Sequence, residues 1–505
     1  MSETSRTWSG KQTSIFGWFA TAIGHLIVRA RAGTGKTTTI IEGINHAPEK
    51  NILLCAFNKR IAEELTARLS NPNAQAKTLH AVGFAAVRRY WSDVKVGSGS
   101  LRADRLSEQV CGPRCPDTVK RLVSRLHTKG REIAPHANAI GDLTDIALNF
   151  ECEPDDSWAR CPRCFNERDR CECPSGFGGF DLLYVETKAL EAMELAAEIK
   201  PVETGIDFSD MIFLPVRNGW LAKTYDLVVV DEAQDMTVAQ LEIARGVCRG
   251  RICVVGDDRQ AVYGFRGADS ESLDRLKTEL NATELGLTTT YRCGRAIVAL
   301  ARELVPDFEA GPNNPEGIVR ELTGDKLLGE VAQGDFILSR LNAPLVSLAM
   351  TLLKSGRRTR IAGRDIGAGL KALIRKVSHG SRSIPELLSK VAAWETREVT
   401  RMQKANRLDR IDGIHDQAEM IVELATSARN VADVEARIDA LFTDDGLGQA
   451  GVITCSSVHR AKGLEADRVF VLADTLRTHN QEERNIQYVA ITRAKSELVM
   501  VHAEV

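Results

Sequence analysis

The sequence contains no run of about eighteen apolar residues, so it offers no candidate for a membrane-spanning helix. Residues 1–10 are polar and lack the apolar stretch behind a basic flank that marks a secretory signal. An excess of one charge is also missing, because 66 Lys and Arg stand against 68 Asp and Glu, a net charge of −2. We therefore expect an intracellular protein, and any surface that binds nucleic acid has to be a local basic patch.

The chain of 505 residues is long enough for about three to four domains. Its composition is 43% hydrophobic and 27% charged, with 39 Gly and 15 Pro. Those proportions are typical of a globular protein and exclude a collagen-like or wholly disordered chain. No internal repeat or low-complexity tract is present.

Two stretches alternate short apolar runs with helical patterns, which predicts two α/β units with parallel sheets. The expected strands are 26–28, 52–57, 227–230 and 252–255 in the first unit, and 336–338, 359–361, 452–454 and 469–472 in the second. A cysteine-rich insertion over about 91–204 interrupts the first unit, and a segment over about 366–445 whose composition favours helices interrupts the second. The predicted bounds are 1–90 and 205–285 for the first domain, and 286–365 and 446–505 for the second.

A turn of small residues, Ala30-Arg31-Ala32-Gly33-Thr34-Gly35-Lys36-Thr37, follows the first expected strand and opens a helix. Small residues let backbone N–H groups close around a triphosphate at the positive end of the helix. Lys36 can reach the outer phosphates, and the Thr37 hydroxyl can hold Mg²⁺. The pattern predicts a phosphate site made of Ala32, Gly33, Thr34, Gly35, Lys36, Thr37 and Thr38.

Acidic and amide side chains follow two later strands. Asp231 comes directly after the run Leu227–Val230, where a Mg²⁺ ligand is expected, and Glu232 could orient and deprotonate an attacking water. A solvated acidic helix start is the alternative interpretation of this pair. Gln260, after the strand 252–255, could sense a γ-phosphate.

Two aromatic residues and a cation follow Gln260. Tyr263 and Phe265, with Arg266 adjacent, offer stacking surfaces beside a positive charge, as single-stranded nucleic acid requires. Two core aromatics near a turn are the alternative.

The order and residues of these motifs resemble the UvrD/PcrA/Rep-like helicases of superfamily 1. Further matches follow in the family's order: Gln12, the segment 56–65 (AFNKRIAEEL), Thr78-Leu79-His80, Asp207-Phe208-Ser209-Asp210-Met211, Thr290-Tyr291-Arg292-Cys293, the segment 457–465 (SVHRAKGLE) and the segment 488–495 (YVAITRAK). The matches extend from Gln12 to Lys495, and both insertions lie outside them.

The resemblance implies two RecA-like motor domains that bind ATP and Mg²⁺ between them and translocate 3′→5′ on single-stranded DNA. It implies that Gln12 and Tyr291 contact adenine, that Glu465 belongs to the nucleotide site, and that Arg493 is an arginine finger. The implied catalytic set is Lys36, Glu232, Gln260, Arg292 and Arg493. The implied DNA contacts are Phe57, Asn58, Lys59, Thr78, His80, Tyr263, Phe265, Arg266 and His459.

The resemblance further implies single-stranded and tailed duplex DNA as partners, a protein partner in replication, repair or defence, and a cytoplasmic protein of a prokaryote or phage. The second insertion, about 80 residues, is shorter than the family's large regulatory arm. A DNA-stimulated ATPase that translocates but separates strands poorly is therefore one alternative. A nucleotide-gated DNA-binding subunit of a larger assembly is another.

Seven of the twelve cysteines lie between Cys111 and Cys173. Cys161, Cys164, Cys171 and Cys173 have the spacing of a four-thiolate Zn²⁺ site, with an iron–sulfur cluster as the alternative. Cys111, Cys115 and Cys152 could replace members of this set or complete another site. The five scattered cysteines sit mostly in apolar segments, where reduced buried thiols are expected.

The flank before this cluster is basic. Between residues 88 and 132 it carries eleven Lys and Arg against five acids. Such a run is usually a solvated helical face, and beside a DNA motor it could instead contact duplex or single-stranded DNA.

Overall fold

The structure is a computed structural model that describes residues 7–21, 23–56, 58–97, 100–150, 152, 180–201, 203–262, 272–378, 383–404, 407–443 and 451–503. The chain forms two compact units. The first contains Met1–Ala30 and Lys36–Leu287, and the second contains Arg31–Gly35 and Thr288–Val505. Among the described helices, none is long and apolar enough to cross a membrane.

A six-stranded parallel sheet forms the centre of the first unit, in the order β3-β2-β4-β5-β1-β6. Its strands are β1 (Leu26–Ala30), β2 (Ile52–Ala56), β3 (Ala74–Thr78), β4 (Tyr225–Val230), β5 (Cys248–Gly256) and β6 (Thr283–Leu287). The apolar runs of β1, β2, β4 and β5 are buried at the centre of the sheet, as a parallel sheet covered on both faces requires.

Helices cover this sheet and form the inserted segment. The helices are α1 (Gly10–Thr21), α2 (Lys36–Asn45), α3 (Lys59–Arg68), α4 (Leu79–Tyr90), α5 (Leu101–Cys111), α6 (Asp117–Ile133), α7 (Thr144–Asn149), α8 (Leu182–Glu198), α9 (Phe208–Arg217), α10 (Val238–Val247) and α11 (Ser272–Leu280). Short 3-10 helices span Ala233–Asp235 and Asp258–Gln260. The inserted helices α5 to α8 share one apolar core with residues of α4 and α9.

The second unit contains a six-stranded parallel sheet in the order β11-β12-β10-β13-β14-β9. Its strands are β9 (Ile318–Thr323), β10 (Phe336–Ser339), β11 (Thr359–Ile361), β12 (Ile453–Ser457), β13 (Ala466–Leu472) and β14 (Ala494–His502). A separate pair is formed by β7 (Thr289–Thr290) and β8 (Glu309–Ala310). The helices are α12 (Arg295–Arg302), α13 (Gly324–Glu330), α14 (Ala343–Lys354), α15 (Arg364–Ser378), α16 (Ile384–Lys404), α17 (Ile411–Ala425), α18 (Val431–Leu441) and α19 (Gln481–Ile491), with 3-10 turns at Leu408–Arg410 and Ala473–Thr475.

The α/β class and the parallel sheets predicted from the sequence are confirmed, and each predicted apolar run coincides with a strand. The strands that sequence reasoning missed are β3, β6, β9 and β14, together with the two-residue strands β7 and β8. The first three of these are polar sequences whose residues are mostly not buried, because β3, β6 and β9 lie at sheet edges. The five scattered cysteines are buried free thiols, as expected.

A buried ion network joins the inserted helices to α9. The Arg131 guanidinium is fully buried and donates to Asp207 Oδ2 at 2.9 Å and to Asp210 Oδ1 at 2.6 Å. Arg102 Nε lies 2.6 Å from Asp210 Oδ2. Asp207 and Asp210 also form the capping box that begins α9. The network therefore fixes the start of α9 against α5 and α6.

We expect Arg131→Met to destabilise the first unit by about 3–5 kcal/mol, because it leaves buried carboxylates without their main counter-charge. Arg105→Met is the matched control, since the Arg105–Glu203 pair is exposed and should contribute less than about 1 kcal/mol. Urea unfolding, with hydrogen exchange in α6 and α9 as the readout, measures the difference in unfolding free energy between the two variants. Equal losses in the two variants would contradict a special role for the buried network.

Candidate functional site

The turn between β1 and α2 has the backbone that the small residues predicted. Gly33 has φ of 69° and Gly35 has φ of 75°, a left-handed conformation that favours glycine. The Thr34 hydroxyl donates to the Arg31 carbonyl at 2.9 Å and closes the turn.

The five residues Arg31–Gly35 pack with the second unit. There the Ala32 N–H donates to the Tyr488 hydroxyl oxygen at 3.0 Å, and the Gly33 carbonyl accepts from the Tyr291 N–H at 2.9 Å. Arg31 is bound by both carboxylate oxygens of Asp307. A phosphate that takes the Ala32 N–H must therefore replace the Tyr488 hydroxyl.

The predicted phosphate lysine and metal ligands meet at the carboxyl edge of the first sheet. Lys36 Nζ lies 2.9 Å from Glu232 Oε2, and the Thr37 hydroxyl donates to Asp231 Oδ2 at 3.1 Å. Burial, together with the neighbouring Glu232 charge, raises the pKa of Asp231 to about 6. Burial alone would lower the pKa of Lys36, but the charges of Glu232, Asp257 and Asp231 outweigh it and raise that pKa. The hydroxyl and carboxylate oxygens of Thr37 and Asp231 are ligands that suit Mg²⁺.

A chain of hydrogen bonds connects Glu232 to Gln260. Gln234 Nε2 donates to Glu232 Oε2 at 2.6 Å, and Gln234 Oε1 accepts from the Asp257 N–H at 3.1 Å. Gln260 Nε2 then donates to Asp257 Oδ2 at 2.7 Å. Glu232 itself has φ of 53°, which is strained for a residue with a Cβ and is typical of functional turns. Sequence reasoning included Glu232 and Gln260 but missed Gln234 and Asp257, which link them.

Gln12 is buried beside the helix that follows the phosphate turn. Its Nε2 donates to the Thr39 hydroxyl of α2 at 2.9 Å, and its Oε1 accepts from the Ser9 N–H at 3.0 Å. Thr38, the residue before Thr39 in α2, accepts a hydrogen bond from Arg68 at 3.2 Å. Gln12 therefore contacts α2 and Thr38 belongs to it, and the side chains of both residues form hydrogen bonds to other protein groups.

Arg292 and Glu465 form an ion pair in the second unit. Arg292 Nε lies 2.6 Å from Glu465 Oε2, and Lys495 Nζ lies 2.7 Å from Glu465 Oε1. Burial would raise the pKa of Glu465, but Lys495 and Arg292 outweigh burial and lower it. The carboxylate therefore stays ionised between two cations.

Arg493 is almost fully buried at the end of α19. Its Nε donates to the Val489 carbonyl at 3.0 Å, and its other nitrogens donate to Leu464 O at 3.2 Å and to the Thr492 hydroxyl at 3.2 Å. Burial and the nearby Arg292 charge lower its pKa to about 10, so it remains a cation at neutral pH. Within the described part of the chain, this buried cation donates to carbonyls and a hydroxyl but to no carboxylate, so it would gain from an anion.

Tyr291 and His459 occupy different environments in the second unit. Tyr291 is 48% exposed, which leaves its ring available for stacking. His459 is half-buried, and burial lowers its pKa to about 4. His459 is therefore neutral at physiological pH.

Several predicted DNA contacts lie where helices begin at the carboxyl edge of the first sheet. Asn58 accepts from the Ile61 N–H at 2.9 Å and caps α3, and Thr78 accepts from the Ala81 N–H at 3.1 Å and caps α4. Lys59 is exposed in the first turn of α3. Helix N-termini favour phosphate groups.

An aromatic pair stands at the start of α4 and α9. The ring of His80 meets that of Phe208 edge-on, with centroids 5.7 Å apart. Burial lowers the pKa of His80 despite the opposing charge of Glu132, so His80 is neutral. Phe208 is 66% exposed. The sequence analysis named the segment that contains Phe208 but assigned no role to Phe208 itself. The Asp207–Asp210 capping box, which marks Phe208 as the first residue of a helix, was the signal available in the sequence.

Other predicted site residues lie outside the described part of the chain. These are Phe57, Tyr263, Phe265 and Arg266, and the cysteines Cys161, Cys164, Cys171 and Cys173. Cys111 donates to Cys115, which is the main reason that the pKa of Cys115 falls to about 7. Within the described ranges, no group of three or more His, Cys, Asp or Glu side chains could hold a metal ion. Cys111, Cys115 and Cys152 therefore do not make a site with other described residues, and the metal prediction gains no support.

Two family models match the chain. The UvrD/REP helicase N-terminal domain matches residues 18–281, and the UvrD-like helicase C-terminal domain matches residues 452–501. Similar proteins include F-box DNA helicase protein 1 of Schizosaccharomyces pombe, 24% identical over 94% of this chain and 55% of that protein. F-box DNA helicase 1 of Gallus gallus is 26% identical over 94% of this chain and 47% of that protein. The ATP-dependent DNA helicase UvrD2 of Mycobacterium tuberculosis is 25% identical over 94% of this chain and 76% of that protein. The chain thus spans about half the length of the two F-box relatives.

We expect Gly33→Ala to destabilise the protein by about 1–3 kcal/mol more than Gly24→Ala does. Both glycines have φ of 69°, so the two changes share the same backbone strain. An added Cβ at Gly33 would lie 2.6 Å from both Arg292 Cβ and Thr290 Oγ1, whereas nothing lies within 4 Å at Gly24. Thermal unfolding of the two variants measures the difference, and equal shifts would show that the turn is not tightly packed.

Proposed function

Because the chain belongs to the UvrD/REP helicase family, we propose that it is an ATP-dependent DNA helicase that moves 3′→5′ along single-stranded DNA. The observation that carries the proposal is the paired arrangement of Lys36 with Glu232 and of Thr37 with Asp231 at one sheet edge. A phosphate-binding lysine, a Mg²⁺ ligand set and a carboxylate base are the groups that phosphoryl transfer to water requires. The 3′→5′ direction rests on the family resemblance.

In the proposed reaction, Lys36 leaves Glu232 and binds the outer phosphates of ATP. Before ATP binds, the charges of Glu232, Asp257 and Asp231 raise the pKa of Lys36 and keep it cationic. Thr37 and Asp231 would hold the Mg²⁺ that accompanies the nucleotide through their oxygens, and the bound ion would supply charge neutralisation to the phosphates. Glu232, released from Lys36 but still bound by Gln234, orients and deprotonates the attacking water.

Residues of the second unit have further roles in the proposed reaction. Arg292 and Arg493 stabilise charge on the γ-phosphoryl group, Tyr291 stacks on the adenine that Gln12 reads, and Glu465 positions Arg292. Gln260 responds to the γ-phosphate through Asp257. Support for these roles comes from the family resemblance and from the charge and exposure of each side chain.

We propose that single-stranded DNA contacts the starts of α3, α4 and α9. The capped N-termini at Asn58 and Thr78 attract phosphates, and the exposed ring of Phe208 beside neutral His80 offers a stacking surface. Lys59 adds a cation. The predicted contacts Phe57, Tyr263, Phe265, Arg266 and His459 remain part of the proposal.

Zinc binding by Cys161, Cys164, Cys171 and Cys173 also remains a proposal, with an iron–sulfur cluster as its alternative. It is supported by the spacing of the cysteines alone.

A second candidate function is a DNA-stimulated translocase, or a nucleotide-gated DNA-binding subunit, that needs a partner to separate strands. This candidate is motivated by the second insertion, about 80 residues, which is shorter than the family's large regulatory arm. A partner in replication, repair or defence would fit this role.

Strand displacement from duplexes with a 3′ or a 5′ single-stranded tail tests the main proposal. We expect ATP-driven displacement from the 3′-tailed duplex only, and none with Lys36→Ala, because that variant loses the phosphate contact. Displacement from the 5′ tail would contradict the proposed direction. ATP turnover that DNA stimulates without displacement from either tail would favour the second candidate.

We expect Glu232→Gln to bind ATP and DNA normally and to hydrolyse ATP at least about 100-fold more slowly, since an amide cannot accept the proton from water. Phosphate release in the presence of single-stranded DNA measures the rate, and nucleotide and oligonucleotide binding are measured in parallel. Glu279→Gln is the control, because Glu279 forms a surface pair with Arg245. Near-normal turnover in Glu232→Gln would remove Glu232 from its role.

A further inference from the structure

The basic flank of residues 88–132 divides into two groups according to its contacts. Six cations are engaged by carboxylates or carbonyls: Arg102, Arg105, Lys120, Arg125, Lys129 and Arg131. The other five have no acidic partner among the described residues: Arg88, Arg89, Lys95, Arg114 and Arg121. The first group stabilises the fold, and the second group leaves positive charge for a ligand.

Three aromatic side chains stand beside the first three of these unpaired cations. Tyr90, the last residue of α4, stacks on Trp220 with ring centroids 4.7 Å apart and planes at 15°. Trp91 meets Trp220 edge-on at 5.2 Å and 73°. Trp91 and Trp220 pack against the core that the inserted helices share, whereas Tyr90 is 58% exposed. The pair is therefore a fixed aromatic surface that another flat ring could extend.

Positive charge flanks this aromatic surface on both chain segments. Arg88 and Arg89 precede Tyr90 in the last turn of α4. Lys95 lies in the turn after α4, one residue before the isolated bridge between Val96 and Ile206. Lys223 comes three residues after Trp220. All four cations are exposed and have no acidic partner in the described ranges. The nearest acids along the two chain segments are themselves paired, Asp93 with Lys200 and Asp226 with Arg249.

The aromatic surface lies away from the edge that carries Lys36 and Glu232. The helix α4 begins at Leu79, directly after the carboxyl end of β3, and runs back across the sheet. Ten residues of helix separate His80 from Tyr90, a distance of about 15 Å at 1.5 Å per residue. Trp220 precedes Tyr225, where β4 begins, so the surface lies at the amino edge of the sheet.

We propose that Tyr90 and Trp220, with Arg88, Arg89, Lys95 and Lys223, form a second binding site for single-stranded nucleic acid. A base stacks on the exposed face of Tyr90, and the four cations contact the phosphates on either side. Aromatic stacking next to a basic groove binds single strands without sequence preference, because every base has a flat face. The site rests on contacts within the first unit and stands whether or not the chain is a helicase.

Photocrosslinking to an oligothymidylate of about 30 nucleotides that carries 5-iododeoxyuridine tests the proposal directly. We expect peptide mapping of the full-length protein to find crosslinks at Tyr90 or Trp220. Tyr90→Ala should reduce crosslinking at this surface by about tenfold, while Tyr90→Phe, which keeps the stacking ring, should retain it. Crosslinks confined to the other edge, around His80 and Phe208, would overturn the proposal.

The salt dependence of binding of the same oligonucleotide tests the cations. The slope of log K against log salt is negative, and each lost phosphate contact reduces its magnitude by about 0.7 for a single strand, so Arg88→Ala/Arg89→Ala should reduce that magnitude by about 1.4. Arg114→Ala/Arg121→Ala is the matched control, because these arginines are exposed and belong to the same flank. An equal fall in both double variants would overturn the assignment to the Tyr90 surface.

ATP turnover, measured on the same preparations, separates this proposal from the proposed function. Tyr90→Ala should hydrolyse ATP normally at saturating DNA, because Tyr90 lies outside the nucleotide site. Absent turnover in the wild-type protein with intact Tyr90 crosslinks would contradict the helicase proposal and leave the second site in place.

Discussion

The parallel pairing of β1, β4 and β5 is the constraint on which the candidate nucleotide site depends. Because β5 lies between β4 and β1 and all three run the same way, the residues that follow them meet at one edge. Lys36 and Glu232 are 196 positions apart in the chain and yet form an ion pair at that edge. A register shift in either strand pair would separate the lysine from the carboxylates, so the apolar packing of the sheet sets the chemistry.

The polar groups assigned to the proposed nucleotide site have protein partners in this structure. Lys36 is held by Glu232, Arg292 by Glu465, and the Ala32 N–H by the Tyr488 hydroxyl. Leaving either cation buried and unpaired would cost several kcal/mol. A ligand that binds here exchanges one set of polar contacts for another, so its affinity reflects a difference between two paired states.

The sequence predicted the central strands and the phosphate turn well, because both follow from local patterns. Apolar runs such as 227–230 become buried strands wherever a parallel sheet forms, and Gly33 and Gly35 adopt the left-handed backbone that only glycine takes easily. Edge strands such as β3 were missed because their residues are polar and half-exposed. Gln234 and Asp257 were missed because their role depends on a contact between strand ends that no spacing encodes.

The basic flank shows why counting charges in a sequence does not locate a binding surface. Arg102 and Arg131 look like Arg88 and Arg89 in the sequence. The first two are buried against Asp210, whereas the last two are exposed and have no carboxylate partner among the residues that the structure describes. Only the fold decides which cations are neutralised, because the acids that pair with Arg102 and Arg131 come from α9, about 80 to 110 residues later. A solvated helical face and a nucleic-acid contact are therefore not alternatives for the whole flank. The residues paired within the fold stabilise it, and those beside an exposed aromatic ring are the ones that can bind phosphate.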